Sequence, residues 1–472
     1  MTISKISRAV TAPELKAQEP RPSAPKVARP AASTPESSFE APRRNPVALN
    51  PSEGRGCGTN DDSLGRGKGT NDDSIGRGKG TNDDSIGRGK GTNDDSIGRG
   101  KGTNDDSIGR AGQGRLTREL DRLGAPRPAP TTPVDTSTLG LDAAARAKVE
   151  TLLKNPAIAG DVAFAVRSES FQKLDAGQKQ KFVDVLAATG ANGARLLAIE
   201  CETGADLSAP RAVDGSTALD HLDRMTKAGL IDGALEVMAD VIIPDRIWQG
   251  DAPTCTASTM QYELAKDNAG EYARLMAGLA LEGHVDMAGG GRLTVDVDHA
   301  LRASRNADDG RSPTEAVFQA AVMDFANGRD AYDLDRMEST RQLGTERRTY
   351  RGLYGDQIRD MLGQLFGTRY ETTRINTNDD AMRVLPQLQR SEQPNRPVLI
   401  DLVVNERQNH CVAFEGVKGD LVLLRDPQNG RRITISKQEF YDSAAAVHIA
   451  ADTSDVDWSV PRKGKLLTQV IE

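Results

Sequence analysis

Hydrophobic and polar positions fall into three textures along the chain. Over residues 1–137 apolar side chains are too sparse to define any face, and Pro, Gly, Ala and Ser dominate. From Leu139 the pattern turns helical, with apolar residues at three- and four-residue spacing over 142–153, 170–188, 191–200, 217–228 and 232–241. The stretch Ala-Thr-Gly-Ala-Asn-Gly over 188–193 reads as a helix stop and turn between two of these segments. After Pro244 a loop leads to Cys255, and helical periodicity resumes over 256–268, 269–281, 312–326, 355–366 and 379–390. Looser segments lie around 288–297 and 329–351. Beyond Pro394 the pattern predicts strands at 397–404, 411–417, 421–425 and 432–435, with a tight hairpin turn at Lys418-Gly419-Asp420. Helices followed by an antiparallel sheet predict an α+β fold.

Composition sharpens the division. Aromatics are only 4% of the 472 residues, and almost all lie beyond Gly140. The first 137 residues therefore cannot offset their ordering entropy and are expected to be disordered. Within them an 11-residue repeat, Gly-Arg-Gly-Lys-Gly-Thr-Asn-Asp-Asp-Ser-Ile, starts at Gly54 and restarts at Gly65, Gly76, Gly87 and Gly98. In its first copy Cys57 replaces the Lys and Leu64 the Ile. Paired Asp and frequent Gly invite comparison with calcium-binding β-roll repeats. Each copy also carries one Arg and one Lys, and one aliphatic residue makes a thin core, which favours a flexible spacer. The expected organisation is a disordered segment 1–137, a helical domain or extension 138–243, a catalytic domain 244–455 and a tail 456–472.

The net charge of −7, with acids and bases interspersed, argues against nucleic acid or an anionic membrane as partner. Five His and no Cys-x-x-Cys pair give little for a metal to bind, and no cofactor is expected. Four well-separated Cys are expected to be free thiols made in a reducing compartment. No apolar run approaches the ~20 residues of a membrane span. The start lacks the apolar core of a Sec signal peptide, so the expected setting is the cytoplasm, or export without such a signal as a secreted effector.

Candidate chemistry gathers in the last part of the chain. His410 enters the first strand of the predicted hairpin and Asp426 follows the second, which makes them cross-strand neighbours at its open end. There an imidazole can donate to a carboxylate that fixes its tautomer and stabilises its cation. Cys255 directly precedes a helix, whose positive end and free N–H groups favour a thiolate. Gln249, six residues upstream, offers a side-chain amide to an oxyanion beside the backbone N–H of Cys255.

Gln249 and Cys255 at this spacing, the later Asn-His-Cys-Val-Ala-Phe-Glu-Gly-Val segment and Arg-Asp-Pro-Gln-Asn-Gly resemble the papain-like cysteine peptidases. The order Cys, His, Asp is also similar to double-glycine leader peptidases and related bacterial domains. The resemblance implies a helical lobe carrying the Cys and an antiparallel sheet carrying His and Asp. It implies Cys255 as nucleophile, His410 as general base and acid, Asp426 as its orienter and Gln249 as oxyanion donor. Two departures stand out: Cys255 is flanked by Thr254 and Thr256 rather than Gly and an aromatic, and the third member is Asp rather than Asn.

Singly, each residue has a plainer explanation. A lone Cys is more often a small buried hydrophobe, a lone His a satisfied core residue, and Asp426-Pro427 a strand end. Cys411 should face the opposite side of its strand from His410 and serve the core. His284, His299 and His448 offer no comparable partners, His221 reads as an ordinary helix-surface or core residue, and Trp248 is expected to pack rather than to line the cleft. The expected activity is a cysteine-nucleophile hydrolase acting on a protein or peptide. Transamidation, deamidation or acyl transfer on the same residues, and a non-catalytic protein-binding module, remain open, as does the oligomeric state.

Overall fold

The computed structural model describes residues 110–451, with breaks at 209–211, 329–330, 344–345, 392, 394, 406–407 and 429. The Pro/Ala/Ser-rich start, the 11-residue repeats with Cys57, and the tail lie outside the described residues.

The helices are α1 (Arg110–Arg122), α2 (Ala143–Leu153), α3 (Ala159–Arg167), α4 (Glu169–Lys173), α5 (Ala176–Thr203), α6 (Ala218–Lys227) and α7 (Ile231–Ile242). The second half adds α8 (Cys255–Asp267), α9 (Ala269–Glu282), α10 (Val297–Ala307), α11 (Pro313–Asn327), α12 (Gly355–Phe366), α13 (Asn378–Ser391) and α14 (Lys437–Ser443). A short ribbon pairs β1 (His284–Asp286) with β2 (Arg292–Thr294), and a small sheet joins β3 (Ala331–Asp333), β4 (Glu338–Leu343) and β5 (Glu346–Tyr350). The main sheet contains β6 (Tyr370–Arg374), β7 (Leu399–Asn405), β8 (Gln408–Lys418), β9 (Leu421–Asp426), β10 (Arg431–Ser436) and β11 (Ala444–Ala450). Its order is β10-β9-β8-β7-β11-β6, antiparallel throughout. The fold is α+β.

The expectation of a linker through Ser137 is corrected by α1. Leu116 and Leu120, four residues apart, are fully buried, each worth ~2 kcal/mol of apolar transfer. Glu119 forms an ion pair with the buried Arg246, and Arg115 with the buried Glu315. The Gly-, Arg- and Pro-rich neighbourhood had concealed a docked helix. The expected turn near Ala188 is present as a kink in α5, where Gly190 sits at φ 60° and ψ −137°. By length and composition α5 could cross a membrane, but 61% of its most apolar window is buried inside the protein.

A continuous core runs from α1 through α5, α7, α8, α9 and α11 to the inner face of the main sheet, where Leu399, Cys411 and Ala413 belong to it. The alternate residues Ile400, Val412 and Phe414 face a second core closed by Leu385 and Leu388 of α13 and Phe440 of α14. Val403 and Val404 near the end of β7 are exposed, and burial on both faces accounts only for its apolar start at Leu399 and Ile400. The same burial makes β8 a central strand, rigid enough to hold a side chain at its entry.

Candidate active site

Cys255 is the first residue of α8. Most of that helix is buried, whereas Cys255 is only half-buried and its thiol is free. The residue before it, Thr254, has the composition of a helix cap but makes no capping hydrogen bond. Its hydroxyl instead donates to Gln319 Oε1 at 2.6 Å. The N–H groups of the first turn of α8 are therefore left open beside the thiol, where they favour negative charge.

His410 lies near the start of β8. Its Nε2 is 2.7 Å from Asp426 Oδ1 at the end of β9. The register pairs Ala413 with Arg425 and Phe414 with Leu424. Continued by one step, it sets Asp426 opposite Val412, so His410 and Asp426 are diagonal rather than directly opposed. The two side chains span that offset, which is within reach of diagonal neighbours. Asp426 Oδ1 also accepts the backbone N–H of Gln428 at 2.8 Å. Burial alone would push the His410 imidazole down. Hydrogen bonds to Asp426 and Cys255, with the charge on both, outweigh burial and raise it from 6.5 to about 9. With Nε2 committed to Asp426, Nδ1 is the nitrogen left for Cys255.

Gln249 sits in a loop closed on itself and tied to the sheet. Its backbone N–H donates to Pro427 O at 2.8 Å, directly after Asp426. Its side-chain Nε2 donates to Ala252 O at 2.9 Å, while Oε1 is buried without a partner. One amide N–H thus orients the side chain within the loop. Gly250, at φ 60°, packs so tightly that a Cβ would lie 1.9 Å from Asp309 O. Only glycine fits that step of the loop.

The structure thus brings Cys255, His410 and Asp426 together and ties the Gln249 loop to the same sheet end. Cys411 is buried in the core as expected, and burial, with the charges of Asp401 and Cys255, holds its thiol well above the usual range. Burial and Glu200 likewise push the Cys201 thiol up to about 12. His221 is buried and bonded to Ser216, and His284 meets Glu282 O at 3.0 Å. Two expectations need correction. His448 has a carboxylate partner, Asp401, at 3.2 Å, and His299 has Asp335 at 3.0 Å. Their partners lie 47 and 36 residues away in sequence, beyond the reach of local pattern.

Other residues that shape the site were missed in the sequence. Glu315 Oε1 accepts Trp248 N–H at 3.1 Å, and Gln319 Nε2 donates to Trp248 O at 3.0 Å. A signal did exist: Glu315 and Gln319 form a polar i,i+4 pair within the otherwise apolar Pro-Thr-Glu-Ala-Val-Phe-Gln-Ala-Ala-Val run. A cleft of about 610 Å³ lies elsewhere, lined by Asp296, His299, Asp324, Tyr332 and Glu338 among others, and none of the four candidate residues borders it. Among the described residues no three His, Cys, Asp or Glu side chains cluster to hold a metal ion. No protein-family model and no curated protein matches the chain.

Proposed function

We propose that the chain is a cysteine-nucleophile hydrolase of papain-like kind that cleaves peptide or isopeptide bonds in a protein or peptide substrate. The observation that carries this is the His410 imidazole, 2.7 Å from Asp426 and held protonated by Asp426 together with a half-buried Cys255 at an uncapped helix start. An imidazole that keeps its proton to about pH 9 is a stable counter-ion for a thiolate.

In the proposed reaction the Cys255 thiolate attacks the substrate carbonyl, and the oxyanion is met by the Cys255 N–H and the side-chain amide of Gln249. Collapse of the adduct breaks the C–N bond. The amine leaves with the proton from His410, and the acyl group stays on sulfur as a thioester. His410 then takes a proton from water, whose oxygen attacks the thioester and releases the acid and the thiolate, restoring the ion pair. Asp426 holds the imidazole in register through both halves.

Iodoacetamide labelling across pH, with mass mapping of the modified cysteine, tests the proposal. Cys255 is expected to react selectively near pH ~6, far below the unperturbed thiol range, and His410→Ala is expected to abolish that selectivity. If Cys255 reacts no faster than Cys201, the proposed ion pair does not exist and the fold serves binding instead.

A further inference from the structure

We propose that Gln319 is a positioning residue for the oxyanion site, holding both ends of the loop that carries Gln249 into Cys255. This rests on the hydrolase reading above. Gln319 is fully buried on α11, among Ala316, Val317 and Ala320, where an apolar residue would fill the space without the expense of burying an amide. Its Nε2 holds Trp248 O at 3.0 Å, just before Gln249, and its Oε1 takes the hydroxyl of Thr254 at 2.6 Å, just before Cys255. One side chain thus spans the start and the end of the oxyanion loop.

The direction of those two bonds is dictated from below. Arg246, buried, forms an ion pair with Asp240, so Asp240 acts as an acceptor. Tyr272 must then donate its hydroxyl to Asp240, at 2.6 Å. The Tyr272 oxygen accepts from Gln261 Nε2 at 2.9 Å, which turns Gln261 Oε1 toward Gln319 Nε2 at 3.2 Å. With its nitrogen fixed there and on Trp248 O, Gln319 can present only its oxygen to Thr254. Thr254 therefore donates, and its hydroxyl is drawn away from the helix N–H groups that a threonine at this position would ordinarily cap. Gln319 does two things at once. It fixes the backbone that aims Gln249, and it anchors Thr254, whose peptide link presents the Cys255 N–H to an oxyanion.

Two reactions of Cys255 separate this role from mere structural support. Acetylation by 4-nitrophenyl acetate passes through an oxyanion; alkylation by iodoacetamide displaces iodide and forms none. In Gln319→Met, the acetylation rate of Cys255 is expected to fall at least ~10-fold, toward the ~10²-fold typical of a lost oxyanion donor. Alkylation and its pH profile should stay within about twofold. Thr254→Val breaks only the second bond, leaves Gln319 in place, and should show the same split at smaller size. It decides the matter if Gln319→Met does not fold. Unchanged acetylation, or a parallel fall in both reactions, overturns the proposal while leaving the hydrolase reading intact. Unselective alkylation of wild-type Cys255 overturns both.

Discussion

The main sheet carries two His–Asp pairs, and they have opposite fates. His410 and Asp426 join β8 to β9 at 2.7 Å, with side chains 15% and 12% exposed. His448 and Asp401 join β11 to β7 at 3.2 Å, and His448 is fully buried. The difference lies beyond the carboxylate. His448 Nδ1 is 2.9 Å from the hydroxyl of Thr372, which itself donates to Gly355 O at 3.1 Å. Both nitrogens of His448 are closed by protein. At His410 the other influence is a half-buried thiol at a helix start, Cys255, which helps raise the imidazole pKa. A His–Asp pair alone is therefore no sign of catalysis; the neighbouring Cys255, whose charge raises the His410 pKa, is what distinguishes the first pair.

The largest test of that contrast is pH-dependent stability. The His410 imidazole binds its proton more tightly in the folded chain, rising from 6.5 to about 9. Its stabilising contribution, about 3 kcal/mol, is fully present below pH ~6.5 and is lost as pH rises through about 9. Denaturant unfolding of wild type and His410→Asn at pH 6 and 9.5 should show the gap between them shrinking by about that amount. A gap that stays constant would mean that His410 is as closed as His448.

Next in size is a crossed pair of substitutions. Asp426→Asn should slow alkylation of Cys255 at pH ~6 on the order of 10²-fold, because the imidazolium loses its carboxylate. Asp401→Asn should leave that rate within about twofold but lower stability by about 1–3 kcal/mol, since its partner is fully buried. If Asp401→Asn slows alkylation as much as Asp426→Asn, the two pairs are parts of one site.

The contrast also marks how far the sequence was legible. Local geometry sufficed for His410 and Asp426, because a tight turn at Gly419 brings the ends of a short hairpin together. Helices α6 and α12 have one buried face and were readable to within two residues for that reason, while α9 and α11 were as readable although buried on almost every side. Elements with less contrast were missed. In α3 the exposed Phe164 lies under the Arg127 guanidinium, 4.2 Å away, which blurs the apolar stripe. Strand β11, Ala-Ala-Ala-Val-His-Ile-Ala, alternates poorly because neighbours cover it on both faces. The short strands β3 to β5, rich in charge, show no apolar periodicity. His448 was beyond local pattern, and the polar pair Glu315 and Gln319 stood out in α11 without revealing its partners, since each acts on a residue brought near only by the folded core.

The smallest effect belongs to Thr372, the residue that closes His448. Thr372→Val keeps the shape of the side chain on β6 and removes the hydroxyl between His448 Nδ1 and Gly355 O. Loss of that bond should lower stability by about 1 kcal/mol, less than Asp401→Asn, because Thr372 is uncharged and partly buried. Thermal unfolding reads the loss, and alkylation of Cys255 should not change. A nitrogen opened at His448 has no thiol before it; Cys411 on the same sheet face is engaged with Asp401 and held protonated by burial. New reactivity at Cys411 in Thr372→Val would show that an open imidazole is enough, and that the helix start at Cys255 contributes less than the contrast between the two pairs requires.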